Sequence, residues 1–330
     1  MVKIGNIELG EFPLLLAPME DVTDSPFRVI CKTFGADVLF TEFVASEGLV
    51  YDAEKSKMKM NFEEVERPVG IQIFGHSIAS MKYAAEMAET RNPDFIDLNF
   101  GCPVRKVVMK GGGAALLNDI PKLMKMTETV VQSTRLPVTV KTRLGWDEKN
   151  RNIVDIAERL QDVGISAISI HGRTRNQLYG GKADWTLIGK VKENQRMKIP
   201  VFGNGDITSA IVAKEIKNTY PVDGIMIGRA AVGNPWIFRE VRTYLDTDRL
   251  MDPPSLMERI ETVKSHLQKS IVYKGETRTI FELRKFYSGY FRGIPDCKKY
   301  RMKLVTTTSL DEVFSILVEI SQQNVSQQSF

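Results

Sequence analysis

With 330 residues, 43% apolar and 26% charged, the chain has the composition of a folded globular protein with room for one large domain and a small second one. A net charge of +4 permits a polyanionic partner without demanding one, and no apolar run approaches the ~18 residues of a membrane span. Cysteines 31, 102 and 297 and histidines 76, 171 and 266 are too scattered for a disulfide framework or a metal site, and no signal-peptide core is present, so a reducing cytoplasm is expected.

Eight short β-rich runs fill the first three quarters of the chain: Pro13–Met19, Val38–Phe43, Val69–Phe74, Phe95–Cys102, Pro137–Arg143, Ala167–Arg173, Pro200–Asp206 and Gly224–Ala230. Helical periodicity separates most of them. A helix over Ser25–Phe34 carries Cys31 on its apolar face, where it reads as core. Others cover Ser77–Ala88, with Ser77 as N-cap, then Asp119–Ser133, Ile153–Val163, Trp185–Glu193 and Ser209–Asn218. Parallel strands need crossovers on a face, so eight such units predict a closed (β/α)8 TIM barrel. An open doubly wound sheet is the rival, but no G-x-G-x-x-G follows the first strand. Beyond Leu245 the β pattern stops and helices are predicted over Ser255–Lys274, Thr277–Arg292 and Leu310–Gln322. The division is therefore a barrel over 1–245 and a small all-helical domain over 246–330.

In a barrel the C-terminal strand ends converge on one mouth, where such enzymes place their chemistry. Those ends carry Pro18 and Met19, Gln72, Asn99 with Cys102, Lys141 with Arg143, His171 with Arg173, Asn204-Gly205-Asp206, and Gly228-Arg229. Residues i and i+2 of a strand share a face, so Lys141 and Arg143 point one way, as do His171 and Arg173. Such a cation cluster suits an anionic ligand. The loops after strands 7 and 8 are a common phosphate site, where Gly205, Gly228 and Arg229 fit the role. Pro103 stops the strand beyond Cys102, which leaves the thiol at the strand mouth; the pentapeptide alone fits a buried hydrophobe as well as a reactive group. Lys141 reads as a Schiff-base nucleophile or as a fixed cation beside a cofactor rather than a surface charge.

Taken together, Ala17-Pro18-Met19, Asn99-Phe100-Gly101-Cys102-Pro103, Val140-Lys141-Thr142-Arg143, His171-Gly172-Arg173-Thr174-Arg175, Asn204-Gly205-Asp206 and Ile227-Gly228-Arg229 resemble the tRNA-dihydrouridine synthase family over nearly the whole chain. Asn234-Pro235-Trp236-Ile237-Phe238 and the loop Gly111–Leu117 look closest to its bacterial B-type branch. The resemblance implies an FMN enzyme that reduces the C5–C6 bond of a tRNA uridine, with NADPH as reductant. It places flavin contacts on Pro18, Met19, Gln72, Lys141, His171, Asn204, Gly205, Asp206, Gly228 and Arg229, and the catalytic cysteine on Cys102. Asn99, Lys141 and Arg143 match positions expected to touch the target base, and Arg173 is assigned to substrate with them.

The chemistry agrees. Reduction of uracil needs hydride at C6, which no ordinary side chain supplies, and a proton at C5, which a thiol with pKa near 8.5 still holds at neutral pH. A uridine stacked inside folded RNA must also be flipped out, so positive surface is needed to hold the RNA. Between Arg278 and Lys303 the cations Arg278, Arg284, Lys285, Arg292, Lys298, Lys299, Arg301 and Lys303 outnumber the acids Glu282 and Asp296. Arg284 and Lys285 are assigned to RNA; the interleaved Phe286, Tyr287, Tyr290, Phe291 and Tyr300 read as core. The resemblance also places a helical tRNA-binding domain here. The alternatives are a flavin barrel acting on a small-molecule pyrimidine, a Schiff-base lyase using Lys141, and a non-catalytic RNA-binding protein. No membrane, metal or obligate protein partner is expected.

Overall fold

The computed structural model describes residues 1–294 and 297–327, with side chains up to residue 322, so Asp296 lies outside the described residues. A hairpin of β1 (Lys3–Ile4) and β2 (Ile7–Glu8) precedes the barrel strands β3 (Leu14–Leu16), β4 (Leu39–Phe40), β5 (Val44–Ala45), β6 (Val69–Phe74), β7 (Phe95–Asn99), β8 (Val138–Arg143), β9 (Ala167–His171), β10 (Val201–Asn204) and β11 (Gly224–Ile227). Every pairing from β3 to β11 is parallel, in the order β3-β11-β10-β9-β8-β7-β6-β4. A single parallel bridge from Leu15 to Val38 closes the cylinder. The (β/α)8 expectation holds. The second predicted strand, Val38–Phe43, shortens to β4, a second short strand β5 follows just past its predicted end, both pair with β6, and the fourth ends at Asn99, so Cys102 sits in the loop beyond it.

Side-chain alternation sorts the strands into two apolar layers. Leu14 and Leu16 face the surrounding helices, while Leu15, Ala17, Val38, Phe40, Phe95, Ala167, Phe202 and Met226 fill the cylinder. Ile4 and Leu9, from the hairpin and the residue after it, join that inner cluster and plug the barrel. Along β7 the interior then turns polar, from Phe95 through Asp97 to Asn99.

The crossover helices start where short polar side chains can accept from free N–H groups. Ser77 caps Ile78–Glu89 as predicted, Asp24 caps Ser25–Thr33 and Ser209 caps Ala210–Thr219. Cys31 is fully buried in the helical layer. The helix Ile237–Thr247, absent from the sequence reading, runs past residue 245 and packs on Ala210–Thr219. Among the described residues four helices follow: Leu256–Lys274, Glu276–Tyr290, Cys297–Thr306 and Leu310–Gln327. They join the barrel through an aromatic seam, with Phe27 4.9 Å from Phe286 and Trp236 5.8 Å from Tyr290 between ring centres. Phe286, Tyr287, Tyr290, Phe291 and Tyr300 are all buried, as read. No helix among the described residues is long and apolar enough to cross a membrane.

Candidate active site

Strand register brings the predicted residues to one rim. Asn99 pairs with Lys141 across β7 and β8, Arg143 with His171 across β8 and β9, and His171 with Asn204 across β9 and β10. Below them lies a closed polar chain. Thr139 Oγ1 donates to Asp97 at 2.5 Å, Gln72 Nε2 donates to the other Asp97 oxygen at 2.6 Å, and Asn99 Nδ2 donates to Gln72 Oε1 at 2.9 Å. Burial pushes the Asp97 carboxyl up to about 6. Gln72 is thus fully buried, with both ends of its amide engaged below the rim.

The chain ends on the cysteine loop. Asn99 Oδ1 accepts from the N–H groups of Gly101 at 3.0 Å and Cys102 at 2.8 Å, which fixes the backbone that carries the thiol. The Cys102 carbonyl accepts from Ala114 N–H, and a Cβ on Gly113, at φ +56°, would lie 2.9 Å from that carbonyl oxygen. A side chain at 113 would displace the loop. Cys102 is 7% exposed, and burial raises its thiol pKa against the opposing pull of Arg143 and Lys141. It stays protonated at neutral pH.

Two buried arginines, Arg143 on β8 and Arg173 just past β9, tie the rim loops together. Arg143 donates to the carbonyls of Gly101 at 2.7 Å, Thr174 at 3.0 Å and Leu178 at 2.9 Å, tying the cysteine loop to the loop after β9. Arg173 donates to the carbonyls of Gly180 and Gly181 and to both oxygens of Asp206. Neither guanidinium is more than marginally exposed. Arg143 and Arg173, assigned to substrate from sequence, meet main chain and Asp206 here.

Three donors face the mouth instead. Lys141 is half-buried, none of the described residues accepts from its Nζ, and burial together with Arg143 lowers its pKa to about 8. His171 is neutral, with burial and four surrounding cations holding its pKa far below the ordinary range. Arg229, 58% exposed in its side chain, donates to Asp206 at 3.1 Å and lies over the Tyr179 ring at 5.1 Å. Gly205, at φ +129°, would carry a Cβ 2.6 Å from that of Ala183, so only glycine lets this turn close. Asp206 also accepts from Ala183 N–H, and Asn204 Nδ2 donates to the Met226 carbonyl at 2.6 Å. Pro18 and Met19 lie on the opposite side of β11, with Gly228 3.7 Å from Met19 Sδ when given a Cβ. An ammonium, a neutral imidazole and a guanidinium left without carbonyl acceptors fit an anionic, phosphate-bearing ring.

Tyr179 is the rim residue that sequence reading missed. It is 56% exposed and near His171, Arg143 and Arg229, at 6.3, 5.8 and 5.1 Å from its ring. Its loop carries no periodicity, so only the fold exposes it. At the C-terminal region, Arg284 donates to the Thr307 carbonyl at 2.8 Å and Lys285 to that of Asp21. Arg278 and Lys303 are paired with Glu282 and Glu319, whereas Arg292, Lys298 and Lys299 are exposed without an acidic partner among the described residues.

Comparison with known proteins agrees with this layout. The family described as Dihydrouridine synthase (Dus) matches residues 15–328. A "Probable tRNA-dihydrouridine synthase" of Rickettsia conorii is 39% identical over 91% of this chain and 90% of its own. "tRNA-dihydrouridine synthase B" of Pseudomonas putida is 38% identical over 92% and 89%, and that of Pasteurella multocida 35% identical over 98% and 99%. Among solved structures, histamine dehydrogenase from Rhizobium sp. 4-9 superposes with a TM-score of 0.57 at 13% identity, covering 81% of this chain and 50% of that one. Morphinone reductase superposes at 0.53 with 12% identity, covering 78% and 91%, and both share the barrel fold. The chain belongs to the dihydrouridine synthase family, in its bacterial B-type branch.

Proposed function

We propose that this protein reduces the C5–C6 double bond of a specific uridine in tRNA to dihydrouridine, in the cytoplasm, with FMN as cofactor and NADPH as reductant. The observation that carries it is the convergence of a protonated thiol, Cys102, and three donors, Lys141, His171 and Arg229, on one barrel mouth. Bound FMN supplies the hydride that no side chain can. Pro18, Met19, Lys141, His171, Gly205, Gly228 and Arg229 would hold it, with Lys141 and His171 toward the ring and Gly228 and Arg229 toward the phosphate.

Cys102 Sγ gives the proton to C5 of the pyrimidine as general acid, a role typically worth 10²–10⁴-fold. Asn99 holds the main chain of that acid in place through its two accepted hydrogen bonds, and Arg143 braces the loop from the other side. Residues 1–245 form the catalytic barrel in this reading, and residues 246–330 hold the tRNA. The test is direct. Purified protein should be yellow and release FMN on denaturation, and tRNA incubated with it and NADPH should gain two mass units at one uridine. Colourless protein that takes up no FMN overturns the proposal.

A further inference from the structure

The helix Glu276–Tyr290 touches two barrel loops at once. At one end Gly289 is buried on the loop after β11, where a Cβ would lie 2.3 Å from the Val232 carbonyl oxygen and 2.9 Å from Gly233 Cα. Gly233, at φ +65°, would in turn put a Cβ 2.2 Å from the Phe286 carbonyl oxygen. Two glycines facing each other let the helix lie directly on the main chain of the loop. That loop is tied to the strand end, since Ala231 N–H donates to the Gly228 carbonyl at 2.9 Å and Val232 N–H to that of Arg229 at 3.2 Å.

The same helix grips the loop after β3. Lys285 Nζ donates to the Asp21 carbonyl, and Lys274, only 3% exposed in its side chain at the end of the preceding helix, bridges the carboxylates of Asp24 and Glu282. Asp21 and Asp24 belong to a turn anchored on Met19. Val22 and Thr23 donate to the Met19 carbonyl at 3.1 and 3.0 Å, and Met19 N–H donates back to Thr23 Oγ1 at 2.9 Å. The strands β3 and β11 are neighbours, with Ala17 N–H donating to the Ile227 carbonyl at 2.8 Å. The helix therefore staples the two loops that flank this strand pair.

We propose that Glu276–Tyr290 is a positioning element of the cofactor cradle, with Lys285 and Gly289 setting the spacing between Met19 and Gly228-Arg229 through the loops they hold. The inference rests on the FMN reading and assigns this helix a role beyond contact with RNA. It requires that FMN affinity depend on residues that lie outside the barrel and do not line the mouth.

The experiment titrates apoprotein with FMN alone, without RNA or NADPH, and follows quenching of flavin fluorescence beside the melting temperature of the apoprotein. Loss of the charge-assisted bond in Lys285→Met should raise the FMN Kd about tenfold while the melting temperature stays near wild type, because the side chain is exposed. Lys285→Arg keeps a donor and should recover most of the affinity, Gly289→Ala should lose more than Lys285→Met, and exposed Ser288→Ala should bind as wild type does. Wild-type FMN affinity in Lys285→Met overturns the staple even if Gly289→Ala fails to fold. Failure of the wild-type protein itself to bind FMN overturns the cofactor reading and the staple with it, so the two failures are told apart.

Discussion

Arg173 Nη1 lies 3.3 Å from His171 Nε2. A guanidinium has donors only, so that imidazole nitrogen accepts and the ring proton sits on Nδ1. Burial first, then Lys141, Arg143, Arg173 and Arg229, keep the ring neutral. His171 is therefore a neutral donor and not the acid of the reaction. Nitrogen-15 shifts should show one neutral tautomer from about pH 5 to 8. The unfolded chain takes up this proton near 6.5 and the native one does not, so stability falls as pH drops below about 6.5. His266, buried with its pKa lowered to about 4, contributes in the same direction. A His171 titration near 6.5 would contradict the tautomer assignment.

Cys102 is held by Asn99 but is not itself a partner of the donors that face the mouth. Replacing it with alanine should leave FMN content and tRNA affinity at wild-type levels while uridine reduction falls by about 10²-fold or more. Because burial raises the thiol pKa, alkylation of wild type by iodoacetamide should also be slower at pH 7 than for an exposed cysteine. Undiminished turnover in Cys102→Ala removes the acid role.

The barrel was legible because each strand is a short apolar run ended by a polar motif, and because Ser77 and Ser209 stand where helices must start. Strand ends were read too long, since Cys102 and Arg173 continue the motifs but their main chains have turned into loops. The helix Cys297–Thr306 was not legible because it buries only Tyr300 and Leu304, too little to show a period. The main-chain contacts of Arg143 and Arg173 were illegible for a different reason: Leu178, Gly180 and Gly181, whose carbonyls accept from them, lie in a loop with no pattern of its own, so sequence alone does not show these two cations tied into it.

Asp97 offers a test of the polar chain under the mouth. Its carboxyl is raised to about 6 by burial, so the native protein keeps a proton that the unfolded chain releases near 3.9. Its contribution is greatest below about 3.9 and is lost as pH rises through 6. Asp97→Asn removes that dependence, and Thr139 Oγ1 can accept from the new amide. Relative to wild type, the variant should gain roughly 2 kcal/mol between about pH 4 and 7 in urea unfolding. Asp97 also raises the Lys141 pKa, so the variant should bind FMN more weakly at pH 8, where Lys141 titrates. A parallel stability profile for the two proteins would place the proton elsewhere.

The cationic face of the C-terminal region separates into two kinds of residue. Arg284 donates to Thr307 and lies over Phe281 at 4.5 Å, so Arg284→Gln should lower the melting temperature before it changes RNA affinity. Arg292, Lys298 and Lys299 are exposed, with no acidic partner among the described residues, so they are free to meet phosphates. A cation that neutralises one phosphate carries close to one unit of the slope of log affinity against log salt. The triple replacement with glutamine should therefore flatten the tRNA salt slope by about two to three units and leave NADPH oxidation by the flavin intact, since none of the three lies at the mouth. A slope equal to that of wild type would mean that the RNA lies elsewhere on the molecule, and that these charges only keep the helices solvated.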